Sequence, residues 1–295
     1  MKPHLDLKAQ DRVEVSFGRL PLIWTWLSAS AGVLAFTGSV LGLLHPAAFY
    51  GRETDLLFNA AIAQDVVNGL LVAPLLVILA WLARRGSISS WLTLAGFLGF
   101  TAYNYSIYAF SIQFGPMFLM WVAVLGLSIF ALAGTLASVV PEATSLIGRT
   151  ATRLTGWVLI VTSVLFTLLW LSEIVPDLLA GVPSTSASTW NVPTNPVHVL
   201  DLAFFLPAVI TSGVLLIREH VWGHATAVGS LAFLGLTTLP ILATPIVSYL
   251  RASPPGWLIM MPIGALSVAL WAVFFRQLRS TRRQQHTRSM GSDQR

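Results

Sequence analysis

Residues 60–85 read AAIAQDVVNGLLVAPLLVILAWLARR. The 23 residues before the two arginines form one apolar run, interrupted by Gln64, Asp65, Asn68 and Pro74. As a helix rising about 1.5 Å per residue, that run is long enough to cross a hydrocarbon layer about 30 Å thick. The paired arginines then anchor one end in an aqueous, lipid-headgroup environment. Equivalent runs occur at Leu20–Leu44, Ile88–Phe110, Pro116–Val139, Thr155–Leu179, Val197–Ile217, His224–Tyr249 and Pro255–Leu278. The predicted fold class is therefore all-α: a polytopic membrane protein with eight transmembrane helices. Barrel strands would need only about 10 residues each and would alternate apolar with polar, which these runs do not.

Composition agrees. Of 295 residues, 55% are hydrophobic and only 10% charged, against about 25% charged in a soluble domain. The net charge of +5 does not indicate a nucleic-acid partner, because the basic residues sit in short segments flanking the apolar runs. With no cysteine, disulfides and thiolate chemistry are excluded.

Fifteen of the 17 basic residues fall on one side of the eight-span arrangement, with only Arg52 and Arg251 opposite. Positive residues mark the cytoplasmic side, so both termini are expected there. The first run is too long for the 7–15-residue apolar core of a signal peptide and reads as a retained span. Residues 1–19 then form a cytoplasmic segment, 20–140 a first four-helix unit, 141–154 a cytoplasmic linker, 155–278 a second unit and 279–295 a basic cytoplasmic tail. The two units align at an offset of 136 residues (65 to 201, 97 to 233, 121 to 257). This offset predicts two parallel four-helix repeats, as in some transporters.

Ionisable groups inside spans normally face a bundle interior or a wet cavity. Here they gather toward the non-cytoplasmic ends: Asp65 with Asn68, the set Tyr103, Tyr105 and Tyr108, then Glu173, and His198 with Asp201. These eight are the candidate ligand- or cation-binding residues, and they predict an outward-facing acidic vestibule. Other readings compete with this one. Asp65 and Asp201 also suit a structural pair, the tyrosines an interfacial belt, and Asp177 a helix cap. His198, Asp201, Asp65 and Glu173 could form an oxygen-rich metal site. The Ser-, Thr- and Pro-rich segment 181–196 reads either as a lid anchored by Trp190 or as a plain linker.

The segments Gln64-Asp65, Tyr103-Asn104-Tyr105, Trp170-Leu171-Ser172-Glu173 and Val199-Leu200-Asp201-Leu202 with Pro207 resemble those of a group of bacterial multi-pass membrane proteins to which no activity is attached. The resemblance runs from Asp65 to Pro207 and implies a bacterial inner-membrane setting, without chemistry. No phosphate-binding glycine loop, H-E-x-x-H, G-x-S-x-G or C-x-x-C motif is present, which weighs against an enzyme. The sequence assigns no cofactor. The leading expectation is a transporter or channel for a small solute or cation. The alternatives are a non-catalytic membrane sensor or partner protein, then a metal-assisted intramembrane enzyme.

Overall fold

The computed structural model describes residues 19–138 and 152–292, with side chains as far as residue 280. Lys2, Lys8, Arg12, Arg149 and Arg295 and most of the 141–154 linker lie outside the described residues. Every regular element among the described residues is helical.

In chain order these are α1 (Leu22–Leu44), the short α2 (Pro46–Tyr50), α3 (Asp55–Arg84), α4 (Ile88–Ser111), α5 (Phe118–Ala137) and α6 (Thr152–Ala180). They continue with the short α7 (Thr185–Trp190), α8 (Pro196–Ile217), α9 (Val221–Leu250) and α10 (Met260–Ser292), the last entered through a single 3-10 turn at Trp257–Ile259. Starts are set by side-chain caps. The Thr54, Ser87 and Asn195 oxygens accept from Leu57, Ser90 and Val197 N–H groups at the heads of α3, α4 and α8, satisfying donors that a helix start leaves open.

Seven helices are long and apolar enough to cross a membrane: α1, α3, α5, α6, α8, α9 and the segment Trp257–Ser280. Leu119, Leu178 and Val268 are each more than 70% exposed on the outer surface. So much contiguous apolar surface suits lipid rather than water. The chain is a multi-pass membrane protein.

Eight such helices were expected, and α4 is the one that falls short in hydropathy. Its 24 residues match the others in length, but it carries Ser, Thr, Asn and Tyr along its whole course. The reason is its surroundings. Twenty-one of its residues are buried, so its neighbours are other helices and its side chains need not dissolve in lipid.

At the centre α4 crosses α9. A Cβ on Gly96 would run into the Gly229 carbonyl oxygen and lie 2.8 Å from the carbonyl carbon. Only paired glycines permit so close an approach. Around this crossing, α1, α3 and α5 pack with α4, while α8 and α10 pack with α9, and α6 packs on α8.

Both chain ends lie at one end of the bundle, where Leu79 of α3, Ser89 and Ser90 of α4 and Leu278 of α10 line a common crevice. At the opposite end, hereafter the distal end, the connections 45–54, 112–117, 181–195 and 251–256 come together. There Asn59 Nδ2 donates to Ser248 Oγ at 3.1 Å. Arg251 donates to Asn59 Oδ1 and lies over the Phe58 ring.

Two helices share an irregularity. In α3 a π turn occupies Asn68–Val72, and in α8 another occupies Asp201–Phe205. Each is followed within two residues by a proline, Pro74 or Pro207. Proline has no N–H to give the carbonyl four residues back, and the preceding turn widens instead. Ala73 N–H reaches Asn68 O, and Leu206 N–H reaches Asp201 O. The correspondence runs at 133 residues (68 to 201, 74 to 207, and 96 to 229 for the crossing glycines), three fewer than the offset read from sequence.

Candidate functional site

Asp65 sits on α3 one turn before the π segment and is 2% exposed. Both of its oxygens are taken. Tyr50 Oη donates to Oδ2 at 2.7 Å. Tyr108 Oη lies 3.0 Å from Oδ1 and 3.1 Å from the Ala61 carbonyl. Room for this arrangement comes from α1, where a Cβ on Gly42 would collide with the Asp65 carboxylate and lie 2.8 Å from Tyr50 Oη. Tyr108 stacks on Trp121 and leans on Tyr105, whose hydroxyl points to Ala35 O. Asn68 accepts from Gln64 Nε2 at 3.1 Å and leaves its own Nδ2 buried without a partner. This cluster belongs to the first half of the chain alone.

Asp201 lies at the first position of the second π turn and is 8% exposed. Trp170 Nε1, from α6, donates to Oδ2 at 2.7 Å, and the Tyr103 phenol of α4 lies against the same carboxylate. The His198 ring packs on the Trp170 indole with centroids 4.8 Å apart, and its Nε2 is 3.5 Å from Glu173 Oε2. Glu173 itself is nearly half exposed, at 45%. Asp177 accepts from the Thr185 N–H at 2.7 Å and its hydroxyl at 3.2 Å, fastening the start of α7.

Between the halves, in the distal part of the bundle, is a cavity of ≈ 300 Å³. That volume holds about ten water-sized groups. From the first half, Leu57, Ala61, Gln64, Phe100, Asn104 and Tyr108 line it. From the second half come Phe166, Trp170, Asp201, Phe233, Thr237 and Ile241. Trp190 of α7 contributes its ring at the distal end. Most of the wall is apolar. Asn104 is 3% exposed, and its Nδ2 has no partner in the protein.

The eight sequence-selected residues therefore divide. Tyr103, Tyr108 and Asp201 line the cavity, whereas Asp65, Asn68, Tyr105, Glu173 and His198 do not. Asp65 is one hydroxyl removed from it, through Tyr108. The three tyrosines do not form an interfacial belt: all are buried, between 2% and 9% exposed. Among the described residues no group of three or more His, Asp or Glu side chains is arranged to hold a metal, because the Asp201 carboxylate turns toward an indole and Asp65 toward two phenols. Segment 181–196 contains a helical turn whose Trp190 reaches the cavity wall.

Sequence reasoning passed over Gln64, Asn104, Trp170 and Trp190 as lining groups. Asn104 carried a usable signal, being an amide in a span between two tyrosines. No family model, curated protein or solved structure matches the chain.

Proposed function

We propose that this chain is a membrane transporter for a small solute, with the cavity between its halves as the binding site. The observation that carries the reading is that cavity: both halves wall it, and it presents one buried carboxylate and one unpartnered amide in otherwise apolar surroundings. Membrane solute sites take this form, largely apolar with few placed polar groups.

In this reading α4 is the eighth span, shielded from lipid by its neighbours, and both termini face the cytoplasm of a bacterial inner membrane. The arginine distribution supports that orientation. Among the described residues, Arg19, Arg84, Arg85, Arg153, Arg218, Arg276 and Arg279 belong to the terminal end, against Arg52 and Arg251 at the distal end. The vestibule is outward but much less acidic than the carboxylate count implied, since Asp65 is engaged by phenols and Glu173 stands aside. Two four-helix halves related at 133 residues, meeting at Gly96 and Gly229, are the unit of movement, with the π turns as hinge points.

The test uses the absence of native cysteine. A single cysteine placed at Thr237, on the cavity wall, is expected to react with a membrane-impermeant maleimide from the periplasmic side, and saturating solute is expected to protect it. In proteoliposomes, Thr237→Trp should abolish uptake by filling the site. Lack of labelling from either side, together with unchanged uptake in Thr237→Trp, would count against the proposal.

A non-catalytic sensor is the second reading. It is favoured by the complete engagement of Asp65 by Tyr50 and Tyr108, which is how a structural carboxylate behaves.

A further inference from the structure

We infer that the cavity selects an organic cation carrying a hydrogen-bonding oxygen. The inference rests on the binding-site reading above and names the class of its ligand.

Charge decides first. Among the described lining residues Asp201 is the sole carboxylate, and no lysine, arginine or histidine takes part. An anion would meet a buried negative group with no compensating cation. A neutral hydrocarbon would leave Asp201 and Asn104 facing an apolar surface, and burying polar groups without partners is costly. A cation answers Asp201. A carboxylate offers about four lone-pair positions, and Trp170 and Tyr103 occupy only part of them.

The wall then distinguishes organic from inorganic cations. A hard metal ion takes about six oxygen ligands. Here the oxygens are dispersed and mostly committed: Thr237 and Thr244 donate back to Leu234 and Pro240 carbonyls at 2.8 Å each, and Tyr108 is held by Asp65 and Ala61. What the wall supplies instead is aromatic surface. Phe100, Tyr103, Phe166, Trp170 and Phe233 line the body of the cavity and Trp190 its distal end. Aromatic rings attract alkylammonium groups through their negative faces, by about 0.5–2 kcal/mol each, and their hydrocarbon area suits N-alkyl groups. The remaining requirement is Asn104, whose free Nδ2 calls for an oxygen acceptor elsewhere on the same solute. A volume of ≈ 300 Å³ accommodates an alkylammonium alcohol or ester.

The experiment compares two probes of the same shape on the purified full-length protein in detergent micelles. Choline is the cation, and 3,3-dimethylbutan-1-ol is its neutral carbon counterpart. Quenching of tryptophan fluorescence reports binding, aided by Trp170 and Trp190 in the wall. Choline is expected to bind saturably and at least tenfold more tightly than the alcohol. Asp201→Asn is expected to erase that preference while leaving alcohol binding in place. Equal binding of the two probes by the unmodified protein would overturn the inference, and this comparison does not depend on any variant folding. Competition of choline by millimolar sodium would overturn it in favour of an inorganic ion. If the alcohol binds as well as choline and Thr237→Trp blocks both, the ligand class is wrong but the cavity still holds solute. If neither probe binds and cysteine labelling at position 237 also fails, the site itself is refuted.

Discussion

Replacing Gly96 by alanine places a methyl group at the crossing of α4 and α9, where the whole interface between the halves is closest. The added Cβ would meet the Gly229 carbonyl oxygen, with the carbonyl carbon at 2.8 Å and Ala232 Cβ at 2.9 Å. Comfortable carbon contacts lie at about 3.5–4.0 Å, so the helices must separate by about 0.7 Å or more. The obstructing atoms are backbone and cannot rotate away. Overpacking of this kind costs about 1–3 kcal/mol, while the gain in helix propensity over glycine offsets at most about 1 kcal/mol. The expected net loss is on the order of 1–2 kcal/mol, a fall in melting temperature of about 2–8 °C. Thermal unfolding in detergent, followed by the fluorescence of the 11 tryptophans, measures it. Gly126 is the control, because a Cβ there meets nothing within 4 Å, and Gly126→Ala should leave the midpoint level or raised. Gly229→Ala should fall between the two, since its nearest atoms, Gly96 N and Leu92 O, lie at 3.1 Å. If Gly96→Ala melts with the parent protein, the close crossing of α4 and α9 is wrong.

Two further predictions concern the distal end. Asp65→Asn gives two buried phenols a poorer acceptor and should cost about 1–3 kcal/mol; a double-mutant cycle with Tyr50→Phe should show coupling between the two sites, and additive losses would refute the bond. In the connection before α3, Glu53 Oε1 accepts from the Gln113 N–H at 2.9 Å. Burial pushes the Glu53 carboxyl above its ordinary 4.5, against the opposing pull of that bond and of Arg52. Because the folded form holds its proton to higher pH than the unfolded form, this group's contribution is fully present below pH 4.5 and is lost as pH rises through the raised value. Glu53→Gln should flatten that part of the stability–pH curve, and an unchanged curve would contradict the assignment.

The apolar runs alone determined that this chain is helical and multi-pass, because each stretch must satisfy its own backbone and dissolve in hydrocarbon without help from distant residues. They also placed the polar side chains toward one end, since depth along a helix follows from residue count. What each polar group does was decided by the tertiary structure. Asp65 and Asp201 look alike in sequence, yet one is bonded to Tyr50 and Tyr108 and the other to Trp170 beside a cavity. Those partners come from different helices, and the rotation that brings them together is set by packing rather than by local periodicity. Helix α4 shows the same division of labour. Its length was legible, but its polar character makes physical sense only once the surrounding helices remove it from lipid. The repeat register moved from 136 to 133 for a related reason: Pro74 and Pro207 impose matching π turns on the backbone, and backbone geometry aligns two helices more strictly than apolar side chains that match one another easily.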